Sequence, residues 1–407
     1  MPERWYMKEV FNKIRSAVRE QTDMTRDMEE EELRKIIDDT ILKISAQYRM
    51  TLTEKEKYAT EIFNSIKRLD ILQELIEEDS ITEIMINGPG NIFYEKGGRI
   101  YQWEKKFKDE ERLYDIAQQI AARSNRIVNE SVPILDTRLN NGSRVNIVLP
   151  PVALDGPVIT IRKFYKSPIT IHKLIQIGSI SKEAALFLER AVKARYNIFI
   201  SGGTGSGKTT FLNALSNYIP CDERVITIED SAELQIQSVK NLVRLETRNA
   251  NVEGENAITI RDLIKSSLRM RPDRIVVGEV RGAEAVDMIT AMLTGHDGSL
   301  STGHSNSPKD MLTRIETMIM MGMDIPLAAI KNQIASAIDI IVHLGRLRDK
   351  SRKVLFIEEV EGIINGEIQL NPLFEFIQEG EWEGKIIGEL KKKKELIHDE
   401  KMKGAGV

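Results

Sequence analysis

The stretch that decides the fold of the chain is Gly202-Gly-Thr-Gly-Ser-Gly-Lys-Thr-Thr210. It satisfies the pattern G-x-x-x-x-G-K-[ST] and follows Asn197-Ile-Phe-Ile200, a short apolar run typical of a buried strand. Its glycines allow a tight loop between that strand and the next helix, with the backbone N–H groups directed inward at phosphate groups. The sequence therefore predicts a phosphate-binding loop made of Gly202, Gly203, Thr204, Gly205, Ser206, Gly207, Lys208, Thr209 and Thr210.

Two side chains of this loop carry chemistry beyond the backbone. Lys208 supplies a positive charge for the β- and γ-phosphates of a nucleotide, and Thr209 supplies a hydroxyl for Mg²⁺. ATP with Mg²⁺ is therefore the predicted ligand. Hydrolysis needs more than this loop, because a carboxylate must also lie near the metal and the attacking water.

The second half of the chain alternates between strand and helix patterns, which predicts an α/β domain with a mostly parallel sheet over residues 167–407. Two of its predicted strands, Val225-Ile-Thr-Ile228 and Arg274-Ile-Val-Val277, are followed closely by acidic residues. Ligands of open parallel sheets bind at the carboxyl ends of the strands. Glu229 and Glu279 are therefore candidate catalytic carboxylates, and Glu279 is also a candidate metal ligand.

The residues leave open which of the two carboxylates acts as the base. Glu229, with Asp230 beside it, could equally cap a helix or stabilise a turn. Glu279 ends a run of apolar residues, where an acid without a function is uncommon. Both carboxylates stay candidates at this point.

Two histidines, His296 and His304, flank a short predicted strand in a chain that has only five. A single histidine is more often structural than catalytic, and the one cysteine, Cys221, excludes a thiolate metal site. An imidazole that contacts the γ-phosphate fits better as a sensor, and His304 is the candidate for that role.

Two smaller regions precede the α/β domain. Residues 1–68 are charged and helical in pattern, and Thr53 is the predicted N-cap of a helix from Glu54 to Leu69. Residues 69–166 combine helical and alternating patterns, which indicates a small α+β domain. A linker is predicted at residues 165–169, because proline disfavours helix in the residue before it.

Two basic segments in the C-terminal region are predicted to lie at the surface. The segment from Arg346 to Lys353 separates two apolar, strand-like runs and is predicted to form a surface hairpin. The segment from Lys391 to Lys394 is predicted to be a solvated helix end rather than a binding patch.

Composition restricts the class of protein. Of the 407 residues, 41% are hydrophobic and 29% are charged, as in ordinary soluble globular chains. The 58 basic and 62 acidic residues give a net charge of −4, which argues against binding nucleic acid over the whole surface. No apolar run approaches the length of a membrane span, and charges occupy the first residues, where a secretory signal would be apolar. A cytoplasmic protein without a membrane span is expected.

Four of these motifs occur together, and in this order they resemble the secretion and pilus motor ATPases of bacterial type II, type IV pilus and type IV secretion machines. They are the phosphate loop, Ile226-Thr-Ile-Glu-Asp-Ser-Ala-Glu233, Arg271-Pro-Asp-Arg-Ile-Val-Val-Gly-Glu-Val-Arg281 and the histidine box from Gly295 to His304. The resemblance extends back to residues 133–144 and 160–164. It implies a RecA-like P-loop ATPase domain, preceded by a small α+β domain and an N-terminal helical segment.

Within that family the chain is most similar to the CpaF type, which powers assembly of Tad/Flp pili. The helical N-terminal extension and Arg138-Leu-Asn-Asn-Gly-Ser-Arg-Val145 carry this similarity. The four-cysteine zinc insert of many extension motors cannot occur in a chain with one cysteine. Gly278 stands where many phosphate-loop enzymes place a metal-binding aspartate. The resemblance implies that this glycine is normal for the family and leaves the metal to Thr209 and, through water, to Glu279.

The resemblance also implies partners and further site residues. The resemblance implies a homo-hexamer that acts with inner-membrane platform proteins, so a cytoplasmic protein associated peripherally with the membrane is expected. No nucleic-acid partner is expected, because the chain is slightly acidic. Arginines of the smaller domain, here Arg138, Arg144 and Arg162, are implied to reach the nucleotide and complete the catalytic site. The alternative is that these arginines pair with surface carboxylates.

Two other functions stay open alongside the motor. A nucleic-acid translocase would use the same ATPase chemistry, but it needs a basic channel with interleaved aromatic side chains, and only 6% of this chain is aromatic. A nucleotide-dependent regulatory switch would bind ATP without sustained turnover. The two candidate carboxylates count against that second alternative.

Overall fold

The structure is a computed structural model that describes residues 2–22, 28–48, 50–164, 168–248, 250 and 255–407. The chain forms two compact units, Met1–Tyr165 and Lys166–Val407. The predicted boundary between residues 166 and 167 and the first three residues of the predicted linker lie outside the described residues. The division of the chain into three domains therefore stays a prediction.

The described residues form thirteen helices and fifteen strands. The helices are α1 (Pro2–Gln21), α2 (Glu30–Ser45), α3 (Leu52–Lys67), α4 (Leu72–Glu77), α5 (Glu110–Arg123), α6 (Ile171–Gln176), α7 (Lys182–Lys193), α8 (Lys208–Ser216), α9 (Ile260–Ser267), α10 (Ala285–Leu293), α11 (Pro308–Gly322), α12 (Leu327–Ala337) and α13 (Glu400–Ala405). The strands are β1 (Ile81–Asn87), β2 (Ile92–Lys96), β3 (Arg99–Gln102), β4 (Ile134–Arg138), β5 (Arg144–Val148), β6 (Val158–Arg162), β7 (Ile198–Gly202), β8 (Arg224–Glu229), β9 (Asn241–Glu246), β10 (Arg274–Val277), β11 (Leu300–Gly303), β12 (Ile340–Arg346), β13 (Arg352–Ile364), β14 (Glu367–Trp382) and β15 (Lys385–Lys392). Within this described part of the chain, no helix is long and apolar enough to cross a membrane.

In the first unit, helices α1, α2 and α3 pack their apolar faces around a core of their own. Its buried members are Val10, Ile14, Val18, Leu33, Ile37, Ile41, Tyr58, Ile62 and Phe63. The predicted N-cap Thr53 is wrong, because α3 begins at Leu52 and is capped by Thr51. Thr51 and Glu54 form a capping box, in which Glu54 N donates to Thr51 Oγ1 (3.3 Å) and Thr51 N donates to Glu54 Oε2 (2.8 Å).

The rest of the first unit is an antiparallel six-stranded sheet in the order β3-β2-β1-β6-β5-β4. Helices α4 and α5 share its core, whose members include Leu72, Leu113, Ile116, Ile120, Ile84, Ile86, Val145, Ile147, Ile159 and Ile161. Buried residues alternate along β5 and β6, so their other residues lie on the opposite face of the sheet. Strand β4, which the sequence did not predict, pairs with β5 and forms one edge.

The second unit is built on a nine-stranded sheet in the order β15-β14-β13-β12-β7-β11-β10-β8-β9. The strands from β12 to β9 pair in parallel, which confirms the predicted mostly parallel α/β sheet, and β13, β14 and β15 extend it antiparallel. Successive residues of β7 belong to different cores: Ile198 and Ile200 to one, Phe199 to the other. Because β7 leads into the loop at 202–207 and pairs with both β11 and β12, the carboxyl ends of these neighbours bring their residues to that loop.

The antiparallel extension corrects the prediction for Lys391 to Lys394. Lys391 and Lys392 lie in β15 rather than at a helix end, and Lys391 Nζ is 2.7 Å from Glu379 Oε1 on β14. Ile386 and Leu390, an even number of residues apart, are buried on one face of the strand. The lysines lie in an edge strand, where positive charge discourages pairing with another chain.

A buried ion pair stabilises the amino end of β10, the end opposite the loop. Arg274 is fully buried, and its Nε and Nη2 donate to the two carboxylate oxygens of Glu223, the second over 3.0 Å. Its Nη1 donates to Val192 O (2.6 Å), while Arg195 Nη2 lies 3.2 Å from Glu223 Oε1. Each buried charge therefore has a partner, which buried charges require.

We expect Arg274→Ala to lower the free energy of unfolding by about 3–5 kcal/mol, because the change leaves the buried Glu223 without its main partner. Denaturant titration followed by circular dichroism measures this. The matched control is Arg261→Ala, which removes a more exposed pair with Asp287 and should cost about 1 kcal/mol or less. Equal effects of the two changes would contradict a structural role for the buried pair.

Candidate active site

The loop between β7 and α8 has the backbone shape that its glycines predict. Gly202 has a φ of +152°, and a Cβ added there would lie 2.4 Å from Leu344 O and 2.7 Å from Ser206 Oγ. Gly207 has a φ of +96° and precedes the first residue of α8. Both positions therefore require glycine, one because the backbone of β12 approaches closely and the other because of its left-handed conformation.

Lys208 lies over this loop, with only 6% of its surface exposed. Its Nζ donates to Gly202 O (3.0 Å) and Gly203 O (3.1 Å) and lies 3.1 Å from His304 Nδ1. The ammonium group is thus held at the mouth of the loop, where a bound phosphate would meet it. The predicted metal-binding hydroxyl belongs to the next residue, Thr209, in the first turn of α8.

His304 connects Lys208 to Glu279. His304 Nε2 lies 3.0 Å from Glu279 Oε1. Burial lowers the pKa of His304, helped by the charges of Lys208 and Arg281 and opposed by Glu279. The imidazole is therefore neutral at neutral pH. Its Nδ1 accepts from the lysine, so its proton is on Nε2, facing the carboxylate.

Glu279 follows β10 and is held in its charged form. Burial alone would raise the pKa of Glu279, but the hydrogen bond from Arg281 and the charges of Arg281 and Lys208 outweigh burial and lower it. Arg281 Nη2 donates to Glu279 Oε2 over 2.9 Å. An ionised carboxylate beside a neutral imidazole and an ammonium group can orient a water molecule and accept its proton.

Glu229, the other candidate, has a different environment. It is 2% exposed, and its Oε2 accepts from Glu233 N (2.7 Å) and Leu234 N (3.0 Å). Burial raises the pKa of Glu229 to about 7 despite these two hydrogen bonds. A Cβ added at Gly278 would lie 2.9 Å from Glu229 Cγ. The side chain of Glu229 thus occupies the space that an aspartate at position 278 would need, which explains the glycine there.

Several buried polar atoms near the loop have no hydrogen-bond partner within the described part of the chain. They include Ser206 Oγ, Glu229 Oε1 and Glu279 Oε1, although the last lies at ion-pair distance from His304. Buried polar atoms are normally satisfied, so atoms of this kind indicate a polar ligand or water. The described residues contain no cluster of three His, Cys, Asp or Glu side chains able to hold a metal alone. Mg²⁺ binds mainly through nucleotide phosphates and waters with one or two protein oxygens, and Thr209 and Glu279 stay the candidates for those oxygens.

Two contacts at the loop were missed by the sequence analysis. His343 on β12 is buried, and its Nδ1 lies 2.8 Å from Ser201 Oγ, immediately before the loop. Arg352, in the segment predicted only as a surface hairpin, donates from Nε to Gly205 O (2.8 Å). A histidine inside the apolar run of residues 340–344 was the available signal for the first contact. Nothing in the local pattern predicted the second.

The three arginines predicted in the smaller domain lie side by side in the sheet of the first unit. Arg138 on β4 is directly opposite Arg144 on β5, which is directly opposite Arg162 on β6. Glu83 on β1 continues the row beyond Arg162. Directly opposite residues carry their side chains on the same face of a sheet, so the three arginines share one face. His296, by contrast, contacts the backbone, with Nδ1 3.3 Å from Ala291 O.

Comparisons with known proteins identify the family of the chain. The profile of the family described as "Type II/IV secretion system protein" matches residues 66–376. A Mycobacterium tuberculosis (strain H37Rv) protein named for conjugal transfer is 36% identical over 290 residues, which cover 70% of this chain and 82% of that protein. The type IV secretion system protein VirB11 of Brucella suis biovar 1 is 33% identical over 303 residues, 68% of this chain and 84% of VirB11.

A solved structure extends the comparison to the fold. The crystal structure of the pilus retraction motor PilT with bound ADP matches with a TM-score of 0.51 and 18% identity, over 83% of this chain and 86% of that chain. At that identity the match supports the RecA-like fold alone. The match of the family profile and the sequence relatives show that the chain belongs to the type II/IV secretion system family of ATPases.

Proposed function

We propose that this ATPase is a homo-hexameric motor of the CpaF type, which hydrolyses ATP with Mg²⁺ to drive assembly of a pilus. The observation that carries the proposal is the linked set of Lys208, His304 and Glu279 around the phosphate loop. The proteins named above support a motor of this class, because VirB11 is a type IV secretion system protein and PilT is a pilus retraction motor. A cytoplasmic position against platform proteins of the inner membrane completes the proposal.

The residues of the loop suggest how hydrolysis proceeds. Lys208 now donates to two loop carbonyls and is placed to donate instead to the β- and γ-phosphates. Glu279, ionised at neutral pH, orients the attacking water and accepts its proton. When bound, Mg²⁺ would neutralise charge on the phosphate oxygens, and Thr209 and Glu279 would hold it.

His304 is the proposed sensor of the γ-phosphate. Because it bridges the lysine and the carboxylate, a phosphate that draws Lys208 Nζ away from His304 Nδ1 also changes the contact between His304 and Glu279. The presence of the γ-phosphate is thereby converted into a different position of the carboxylate.

Two variants separate binding from chemistry and test the proposed function. Lys208→Ala should weaken ATP binding and turnover together, because the phosphates lose a buried charge. Glu279→Gln keeps the shape but not the base, so ATP should still bind while turnover falls by about 10² or more. Steady-state phosphate release and equilibrium binding measure the two effects, and light scattering of the ATP-bound Gln variant should give the mass of six chains.

Other outcomes would point to other functions. Normal hydrolysis by Glu279→Gln would make Glu279 structural and Glu229 the leading base. Stimulation of turnover by DNA or RNA would favour a nucleic-acid translocase. ATP binding by the wild type without sustained phosphate release would favour a regulatory switch. A gene neighbourhood without pilin and prepilin peptidase genes would count against the CpaF assignment.

Glu229 should give the protein a characteristic pH dependence of stability. Its pKa rises from an ordinary value of 4.5 to about 7 on folding, so the stability it contributes is present below pH 4.5 and is lost as the pH rises through 7. Glu229→Gln has no carboxyl to ionise at this position, so its unfolding free energy should not fall for this reason as the pH rises. Relative to that variant, we expect the wild type to lose on the order of 3 kcal/mol of unfolding free energy between pH 4.5 and 8. Denaturant titrations at several pH values measure the difference.

Glu279→Gln is the control for this experiment, because the pKa of Glu279 is lowered and its titration lies below that pH window. Curves for the wild type and Glu229→Gln that stay parallel from pH 4.5 to 8 would contradict the raised pKa.

The row of Arg138, Arg144 and Arg162 is proposed to stabilise the γ-phosphate during hydrolysis. The transition state spreads negative charge over the γ-oxygens, and a guanidinium group that contacts them contributes about 10³ or more in rate. We therefore expect at least one of Arg138→Ala, Arg144→Ala and Arg162→Ala to hydrolyse ATP about 10³-fold more slowly than the wild type while it still binds ATP.

The control is Arg99→Ala, on β3 at the other edge of the same sheet. Phosphate release by all three row variants at the rate of this control would show that the row only pairs with surface carboxylates.

A further inference from the structure

A second pair of opposed arginines lies beside the phosphate loop of the second unit. Arg346 ends β12 and Arg352 begins β13, and the two are directly opposite each other in the antiparallel pair. Residues 346–352 are called the arginine hairpin here. Directly opposite residues of an antiparallel pair carry their side chains on the same face of the sheet, so both guanidinium groups start from one face.

Both arginines reach the loop. Arg352 Nε donates to Gly205 O over 2.8 Å, and its Cδ lies 3.5 Å from the position of a Cβ added at Gly207. Arg346 Nη1 lies 3.9 Å from the position of a Cβ added at Gly205. The hairpin therefore contacts the middle of the loop, the part whose backbone N–H groups surround a bound polyphosphate.

The hairpin is held in this position by its own contacts. Asp349 accepts from Ser351 N (2.9 Å) and Ser351 Oγ (2.6 Å) within the turn, and its second oxygen accepts from Ile386 N on β15 (2.9 Å). Arg348 Nη2 is 2.5 Å from Glu381 Oε2 on β14. The two neighbouring strands thus fix the turn, and the arginines at its base do not need to be ordered when a ligand binds.

The position of the hairpin indicates which phosphates it meets. Strand β7 pairs with β11 on one side and with β12 on the other. His304 follows β11, and together with Lys208 and Glu279 it marks the end of the site where the γ-phosphate reacts. The arginines arrive from the β12 side, so they face the portion of the nucleotide that remains after the γ-phosphate has left.

We propose that Arg346 and Arg352 form a second phosphate-binding pair, which contacts the α- and β-phosphates of the bound nucleotide and retains ADP after hydrolysis. The proposal rests on the nucleotide site proposed above. It assigns ligand binding to a hairpin that the sequence presented as a surface feature. It also separates the guanidinium groups that hold the product from the lysine and carboxylate that act on the γ-phosphate.

The test is built on Arg352→Gln, because the glutamine Nε2 occupies the same position along the side chain as the arginine Nε. The variant can keep the hydrogen bond to Gly205 O while it loses the charge and the two terminal nitrogens. Fluorescent N-methylanthraniloyl ADP is titrated into the full-length wild type, Arg352→Gln, Arg346→Gln and the double variant. We expect about tenfold weaker ADP binding for each single variant, as for a lost charge-assisted hydrogen bond, and a similar rise in the KM for ATP.

Arg348→Gln is the matched control, since it removes the same charge from the same hairpin but its guanidinium group is turned toward Glu381. The affinity of this control for ADP should equal that of the wild type. Wild-type affinity in both Arg352→Gln and Arg346→Gln would overturn the proposal, since it would show that Arg352 only positions the loop through Gly205 O. Failure of the wild type itself to bind ADP would instead overturn the proposed function of the site.

Discussion

The parallel pairing of β7 with β11 and β12 is the constraint on which the ATPase unit depends. Lys208 and His304 follow β7 and β11, and the two candidate carboxylates follow or end β10 and β8 beyond them. Residue 202, at the end of β7, is packed so closely on Leu344 O that only glycine fits. A shift of one residue in the register of β12 would therefore displace the loop as well as the hairpin that contacts it.

The motifs that could be predicted from the sequence are those whose function requires residues that are close together along the chain. The loop at 202–210 has a fixed spacing because one turn of backbone must surround a phosphate, and its strand and helix flanks follow from the apolar pattern. Glu279 and His304 were predictable as candidates because each terminates a buried strand. Their contact with each other and the contact of His304 with Lys208 were not predictable, since they depend on which strands are neighbours in space rather than in sequence.

The errors of prediction share a physical origin. Lys391 was assigned to a helix end because its charge run obscured the alternation of Ile386 and Leu390 in β15. The N-cap was placed two residues too late because Thr51 and Thr53 are each followed by a glutamate three residues later, Glu54 and Glu56, so the capping-box pattern does not distinguish them. The predicted surface hairpin of residues 346–353 is confirmed, with Arg352 exposed, but the contact of Arg352 with Gly205 O was missed because side chains that act across a sheet carry no local periodic signal.

The two acidic side chains at the site differ in environment more than in chemistry. Glu279 is surrounded by cations, whereas Glu229 is surrounded by backbone and apolar atoms. With a pKa of about 7, the Glu229 carboxyl is close to half-ionised at neutral pH. Any step of the cycle that changes its burial must therefore exchange protons with the solvent. A step that exposed Glu229 would therefore release a proton, and acidification would favour the conformations in which this carboxyl is buried and protonated.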